Sequence, residues 1–257
     1  MKEWFAHKIL GLPELASSNG RPVDDLMVYL HWLMLALFVG WIAYFGYVLW
    51  RFNASRHPKA QYEGAKSHVP SYVEVFIVVV EAVLLIFIAV PIWAKTVSKF
   101  PSPADATVVQ IVAQQFAWNV RYAGPDGIFG HQDMKFVASD NVFGVDPTDP
   151  NGKDDIQLLN EIHVPINKPV LIYLSSKDVI HSLKLVAMRL TQDAIPGLRI
   201  PCTFTPTKIG RYQIECAQLC GNGHASMAGG FVVVESQEDF TKWINSKSAS
   251  PAATSFE

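Results

Sequence analysis

Cysteine is scarce: the chain has 3 among 257 residues. So small and odd a number excludes a disulfide framework as the main source of stability. The haem-attachment pattern Cys-x-x-Cys-His is missing, so this chain carries no covalently attached c-type haem. Charge is sparse too. Charged residues make up 17% of the chain and the formal net charge is -2, which gives no bulk attraction to nucleic acid. The first residues lack the uninterrupted apolar stretch of a secretory leader, because Glu3, Trp4, His7 and Lys8 break it up.

Apolar residues are plentiful, at 50%, and unevenly spread. Residues 27–49 are apolar apart from His31 and several aromatic hydroxyls and indoles. A run of roughly 23 residues, at about 1.5 Å each, spans a hydrocarbon core of about 30 Å. Trp50 and Arg51 follow, where an interfacial anchor belongs. A second run, residues 73–93, is closed by Lys95 and Lys99. The reading is an outside segment over 1–26, spans at 27–50 and 72–95, and a connecting loop over 51–71. That loop carries Arg51, Arg56, Lys59 and Lys66 against Glu63. The positive-inside rule puts it in the cytoplasm or matrix, and both termini outside. Within the second span, Glu74 and Glu81 lie two turns apart on nearly the same helix face. An ionisable group at that depth is costly and faces a partner or a water-filled path.

Beyond residue 100 the pattern changes to short β-branched and aromatic runs punctuated by Gly and Pro. Strands are expected over 107–118, 161–164, 170–175, 183–188, 202–205, 212–215 and 231–235, and a short helix over 238–245. The expected domain covers 100–246, a β-sandwich or barrel. The tail, 247–257, reads as disordered. Residues 124–155 form an Asp/Gly/Pro-rich insertion, read as a solvated loop without a metal site.

Residues 216–227 read Cys-Ala-Gln-Leu-Cys-Gly-Asn-Gly-His-Ala-Ser-Met. Cys216, Cys220, His224 and Met227 are soft or borderline donors, the set that favours copper. Cys220, His224 and Met227 would suit a mononuclear site given another histidine upstream. Cys216 is then surplus, and a second thiolate allows two sulfurs to bridge two metals. A Cys216–Cys220 disulfide leaves His224 and Met227 without a role, and zinc rarely recruits methionine.

This loop resembles the copper loop of cytochrome c oxidase subunit II, C-x-E-x-C-G-x-G-H-x-x-M. The blocks Val-Pro-Ile-Asn-Lys-Pro-Val, Ser-Lys-Asp-Val-Ile-His-Ser and Gln-Asp-Ala-Ile-Pro-Gly resemble others of that family. The resemblance implies two transmembrane helices followed by a cupredoxin-like Greek-key barrel on the periplasmic side of a bacterial plasma membrane. It implies a dinuclear copper centre, CuA, held by His181, Cys216, the Gln218 carbonyl, Cys220, His224 and Met227. His163 is the competing histidine, without a family block behind it. The implied partners are oxidase subunits I and III, with cytochrome c or a membrane-bound cytochrome complex as electron donor. The implied work is electron transfer to haem in subunit I, where oxygen is reduced with proton translocation. Glu74 matches the glutamate that marks a proton entry in the family, and Glu81 shares its stripe.

Two positions depart from the family. Gln218 replaces a glutamate whose carboxylate helps bind magnesium, and a neutral amide is a weaker ligand for a hard dication. In Gln115-Phe116-Ala117-Trp118, Phe116 replaces the tryptophan at the family's electron entry, and Trp118 is kept. Three rivals share features with this reading: a membrane-anchored mononuclear copper carrier, a nitrous-oxide reductase-like copper domain, and a quinol oxidase subunit. The first lacks a use for Cys216, the second carries a large catalytic domain, and the third lacks the copper ligands.

Overall fold

In the computed structural model, residues 2–59, 62, 63 and 66–248 are described. They form two units. The first holds the apolar helices α1, Arg21–Arg51, and α2, Val69–Ser98, both long and apolar enough to cross a membrane. Helix α1 starts ahead of its apolar run, with Pro22 and Asp24 in the first turn. Proline suits that position because its missing N–H would find no helical partner there, and the acid complements the helix dipole. In α2 the Ser67 hydroxyl accepts from Val69 N at 3.2 Å and Pro70 stands in the first turn. Over Leu84–Ala89 the helix widens, and Val90 N bonds to Leu85 O. Pro91 follows at once. A proline ring clashes with the carbonyl four residues earlier in a regular helix, and a wider turn moves that carbonyl aside.

The second unit is a sandwich of two five-stranded sheets. One has the order β3-β2-β1-β5-β8 and the other β4-β10-β9-β6-β7. The strands are β1 Thr107–Gln114, β2 Ala117–Tyr122, β3 Ile156–Leu159, β4 Glu161–Pro165, β5 Val170–Ser176, β6 His181–Leu185, β7 Leu190–Ala194, β8 Ile200–Phe204, β9 Gly210–Cys216 and β10 Gly230–Glu235. Parallel pairs β1/β5 and β4/β10 sit among antiparallel ones. Alternate residues point inward: Val109, Ile111 and Ala113 on β1, Val170, Ile172 and Leu174 on β5, Val232 and Val234 on β10. A fully buried Val, Leu or Ile contributes about 1.5–3 kcal/mol, which holds the sheets face to face.

The expected strand over 107–118 is two strands. The chain reverses at Gln115 and Phe116, and β2 runs back along β1 with Gln114 opposite Ala117. No Gly, Pro or Asn marks this turn; contacts from distant residues fix it. The Asp178 carboxylate accepts from Gln115 N at 2.7 Å, and Asn160 Oδ1 accepts from Trp118 N at 2.8 Å. Strands β3 and β7 were not expected from the sequence, and His181 begins β6 rather than preceding it.

The insertion is ordered. Phe143 and Val145 are buried. Asp126, Asp133, Asp146 and Asp149 each accept a hydrogen bond from a backbone N–H of the insertion. Such backbone bonds hold the Asp133 and Asp149 carboxyls below the ordinary carboxylate range, and for Asp146 the Thr148 hydroxyl does so first, with the Thr148 N–H behind it.

Residues 13–20, which precede α1, are built into the β unit. Ala16 N donates to Ala187 O at 2.8 Å and Thr207 N donates to Ala16 O at 2.7 Å. Ser17 Oγ donates to Met188 O at 2.7 Å, and the Ala16 side chain is fully buried in the core. Helix α3, Gln237–Ser248, is capped by Ser236, whose hydroxyl accepts from Asp239 N at 3.0 Å. Trp243 on α3 stacks on His163 with ring centroids 4.1 Å apart. The expected disordered tail lies almost wholly outside the described residues, which end at Ser248.

Candidate metal centre

Three pieces of chain far apart in sequence build the site: the β5–β6 connection, the β9–β10 loop and the β1–β2 turn. Strand β6 pairs with β9, with Leu183 opposite Cys216, and this brings His181 beside the cysteine loop. His181 Nδ1 lies 3.2 Å from Met227 Sδ. Cys220 Sγ lies 3.5 Å from the same sulfur and 3.4 Å from His224 Nδ1. Cys216 Sγ lies 3.9 Å from Cys220 Sγ and 3.1 Å from Gln218 O. One ligand atom each from His181, Cys216 and Cys220 falls within 4.8 Å of the others. All six donors implied by the resemblance are thus brought together. His163 is not among them; it sits under Trp243, its Nδ1 3.2 Å from Glu235 Oε1.

Both cysteines of the loop are free thiols. Two sulfurs that share a metal at about 2.3 Å each can be at most about 4.6 Å apart, and these two meet that limit. The donor set, two thiols, two imidazoles, a thioether and a carbonyl, fits copper better than any hard cation. Burial, then the neighbouring Cys216, pushes the Cys220 thiol up to about 11. A bound cation reverses that balance and displaces the proton.

Outer contacts orient the donors. His181 is fully buried, and its Nε2–H donates to Asp178 Oδ1 at 2.9 Å. That bond fixes the tautomer and leaves Nδ1 facing the loop. Burial raises the Asp178 carboxyl, but hydrogen bonds from Gln115 N, His181 and Val179 N outweigh it and hold the group below its ordinary value. Gln115 Nε2 donates to Cys220 O at 2.6 Å. Trp118 is fully buried, donates its indole N–H to Met227 O at 3.1 Å and meets the His181 ring edge-on at 6.2 Å.

Phe116 is half-buried against the loop. A Cβ on Gly223 would come within 2.4 Å of its ring, and one on Gly221, where φ is +134, within 3.0 Å. The loop glycines therefore allow an aromatic ring to lie on the loop backbone as well as letting that backbone bend. Sequence reasoning missed Asp178 and Gln115. Asp178 carried a faint signal, three residues before a candidate histidine ligand. Gln115 opened the block compared with the family, but no role was read for it.

Glu74 and Glu81 lie on α2, in the other unit, and both are solvent-exposed in the isolated chain.

Residues 107–236 match the family model for the cytochrome c oxidase subunit II periplasmic domain. An alternative cytochrome c oxidase subunit 2 of Bradyrhizobium diazoefficiens is 31% identical over 229 residues, covering 89% of this chain and 81% of that one. A probable cytochrome c oxidase subunit 2 of Rickettsia conorii is 32% identical over 203 residues, covering 79% of this chain and 60% of that one. The crystal structure of the periplasmic domain of subunit II of cytochrome oxidase from Bradyrhizobium japonicum aligns over 58% of this chain and 96% of its own, at 27% identity and a TM-score of 0.42. With its two apolar helices, its β-sandwich and the matched domain, the chain belongs to the cytochrome c oxidase subunit II family, a subunit of a haem–copper oxidase.

Proposed function

We propose that the chain holds two copper ions through His181, Cys216, the Gln218 carbonyl, Cys220, His224 and Met227. It takes electrons from a donor outside the membrane and delivers them to haem in subunit I of a proton-translocating oxidase. The observation that carries this is the second free thiol: Cys216 Sγ stands 3.9 Å from Cys220 Sγ in a loop that already offers His224 and Met227. A mononuclear carrier has no use for it. Two coppers in this set supply a one-electron couple shared between two metals. The protein's part is to keep the donors in place in both oxidation states. The buried His181, its bond to Asp178 and the strand pairing of β6 with β9 all restrict donor movement.

The N-terminal segment supports the topology. Residues 13–20 precede α1 and are part of the β unit that follows α2. Two crossings return a chain to the side on which it began, so the segment and the domain share a side. The cationic linking loop argues that this side is the periplasm. Subunits I and III would cover the apolar faces of α1 and α2.

Trp118 has no accessible surface, so an incoming donor, cytochrome c or a membrane-bound cytochrome complex, meets Phe116 first. Trp118 lies behind it, against His181 and Met227. Gln218 contributes its carbonyl to copper and no carboxylate to magnesium. In the membrane, Glu74 would admit protons and Glu81 would face subunit I. Glu74→Gln or Glu81→Gln should slow turnover and proton uptake together in the assembled oxidase; unchanged values for both variants would exclude that role.

Copper removal tests the electron-transfer role. In copper-depleted oxidase, reduction of the subunit I haem by the protein donor should be lost, while a small diffusible reductant should still reduce it. Haem reduction by the protein donor at the native rate without copper would refute the proposal.

A further inference from the structure

Gln115 is an exposed residue in a two-residue turn, where no packing demand calls for a long amide. Its side chain nevertheless reaches a residue 105 positions away in sequence: Nε2 donates to Cys220 O at 2.6 Å. A carbonyl only accepts, so the NH₂ end of the amide must face it. The amide lies so close over the loop that a Cβ on Gly221 would come within 2.8 Å of its nitrogen. The same residue's backbone N–H donates to Asp178 Oδ2 at 2.7 Å. The other oxygen of Asp178 accepts from His181 Nε2 at 2.9 Å and from Val179 N at 2.7 Å.

One residue therefore touches both halves of the donor set. Through its main chain it orders the carboxylate that orients His181. Through its side chain it holds the peptide of Cys220. The two halves come from different loops, and the β1–β2 turn is a third element bonded to each.

Building on the copper reading above, we propose that Gln115 is a positioning residue, a clasp that fixes the Cys220 peptide relative to His181 and tunes the metal potential. The side-chain half of the clasp can be removed by itself, because every substitution except proline keeps the N–H to Asp178. A donor beside a ligating cysteine favours the electron-rich, reduced state, so its loss lowers the potential.

The test compares native full-length chain with Gln115→Met and Gln115→Glu, all loaded with copper. Methionine keeps the length and loses the donor. Glutamate sets an acceptor against the Cys220 carbonyl and adds a negative charge. Native chain should bind copper and show a potential highest of the three, with Gln115→Met lower and Gln115→Glu lowest. Copper release to a chelator should be about tenfold faster in Gln115→Met, the low end of what losing an outer-shell partner costs, and faster still in Gln115→Glu. Native potential and release rate in both variants would overturn the clasp and leave the copper reading standing. A native chain that takes up no copper would overturn that reading, and the clasp with it.

Discussion

Cys216→Ser should convert a chain that loads two coppers into one that loads a single copper, and donor-driven haem reduction should fall more than about 100-fold. Losing an outer-shell partner costs about 10–100-fold, and Cys216 is proposed as a ligand itself. The serine hydroxyl is a hard donor that stays protonated near neutral pH, so it bridges no soft metals. The fold should survive. Cys216 ends β9, partly buried at the edge of the core, and serine is close to it in size. Copper content by mass spectrometry and haem-reduction rate by stopped flow measure the two effects. Two coppers and native electron delivery in the serine variant would remove the reason for reading Cys216 as a bridge.

The largest expected loss of stability comes from elsewhere. Arg121 on β2 is fully buried, and so is the side chain of Asp155 at the end of the insertion. The guanidinium bonds Asp155 Oδ2 through Nε at 3.0 Å and through a second nitrogen, Gln110 Oε1 at 3.2 Å and Gly130 O at 2.9 Å. It also lies over the Phe129 and Phe143 rings. This one side chain fastens the insertion to the outer face of its sheet. Arg121→Met leaves the Asp155 carboxylate buried without a counter-charge, and breaking such a pair costs roughly 3–5 kcal/mol. At about 2–4 °C per kcal/mol in a domain of this size, the melting temperature should fall by roughly 10 °C. Adding Asp155→Asn should recover part of the loss, because most of the penalty is the stranded charge. Thermal unfolding of the native, single and double variants checks this; a double variant no more stable than the single one would mean that packing, not charge, is what Arg121 provides.

The two effects differ in how visible their causes were in the sequence. The two long apolar helices were legible because an apolar run of bilayer length is longer than a strand or a core helix needs. The donor set was legible because Cys216, Cys220, His224 and Met227 crowd one loop, and His181 because the resemblance called for another imidazole. The supports of that set were not. Gln115 and Asp178 gain their roles only when the β1–β2 turn, the β5–β6 connection and the cysteine loop meet, and no local pattern encodes the meeting. The turn itself was hidden for the same reason: Gln115-Phe116 has no turn chemistry of its own, and Asp178 and Asn160 supply the bonds that hold it. Residues 13–20 attach to the β unit largely through main-chain hydrogen bonds, which side-chain identity barely signals, and only Ala16 reaches the core. Arg121 lies beyond the strand expected over 107–118, and no local pattern marks it as buried under the insertion.

The most direct test of the central claim is the copper content of the purified full-length chain together with its electron paramagnetic resonance spectrum. Two coppers per chain and one unpaired electron shared equally between them are expected. One copper per chain with a mononuclear signal would contradict the claim.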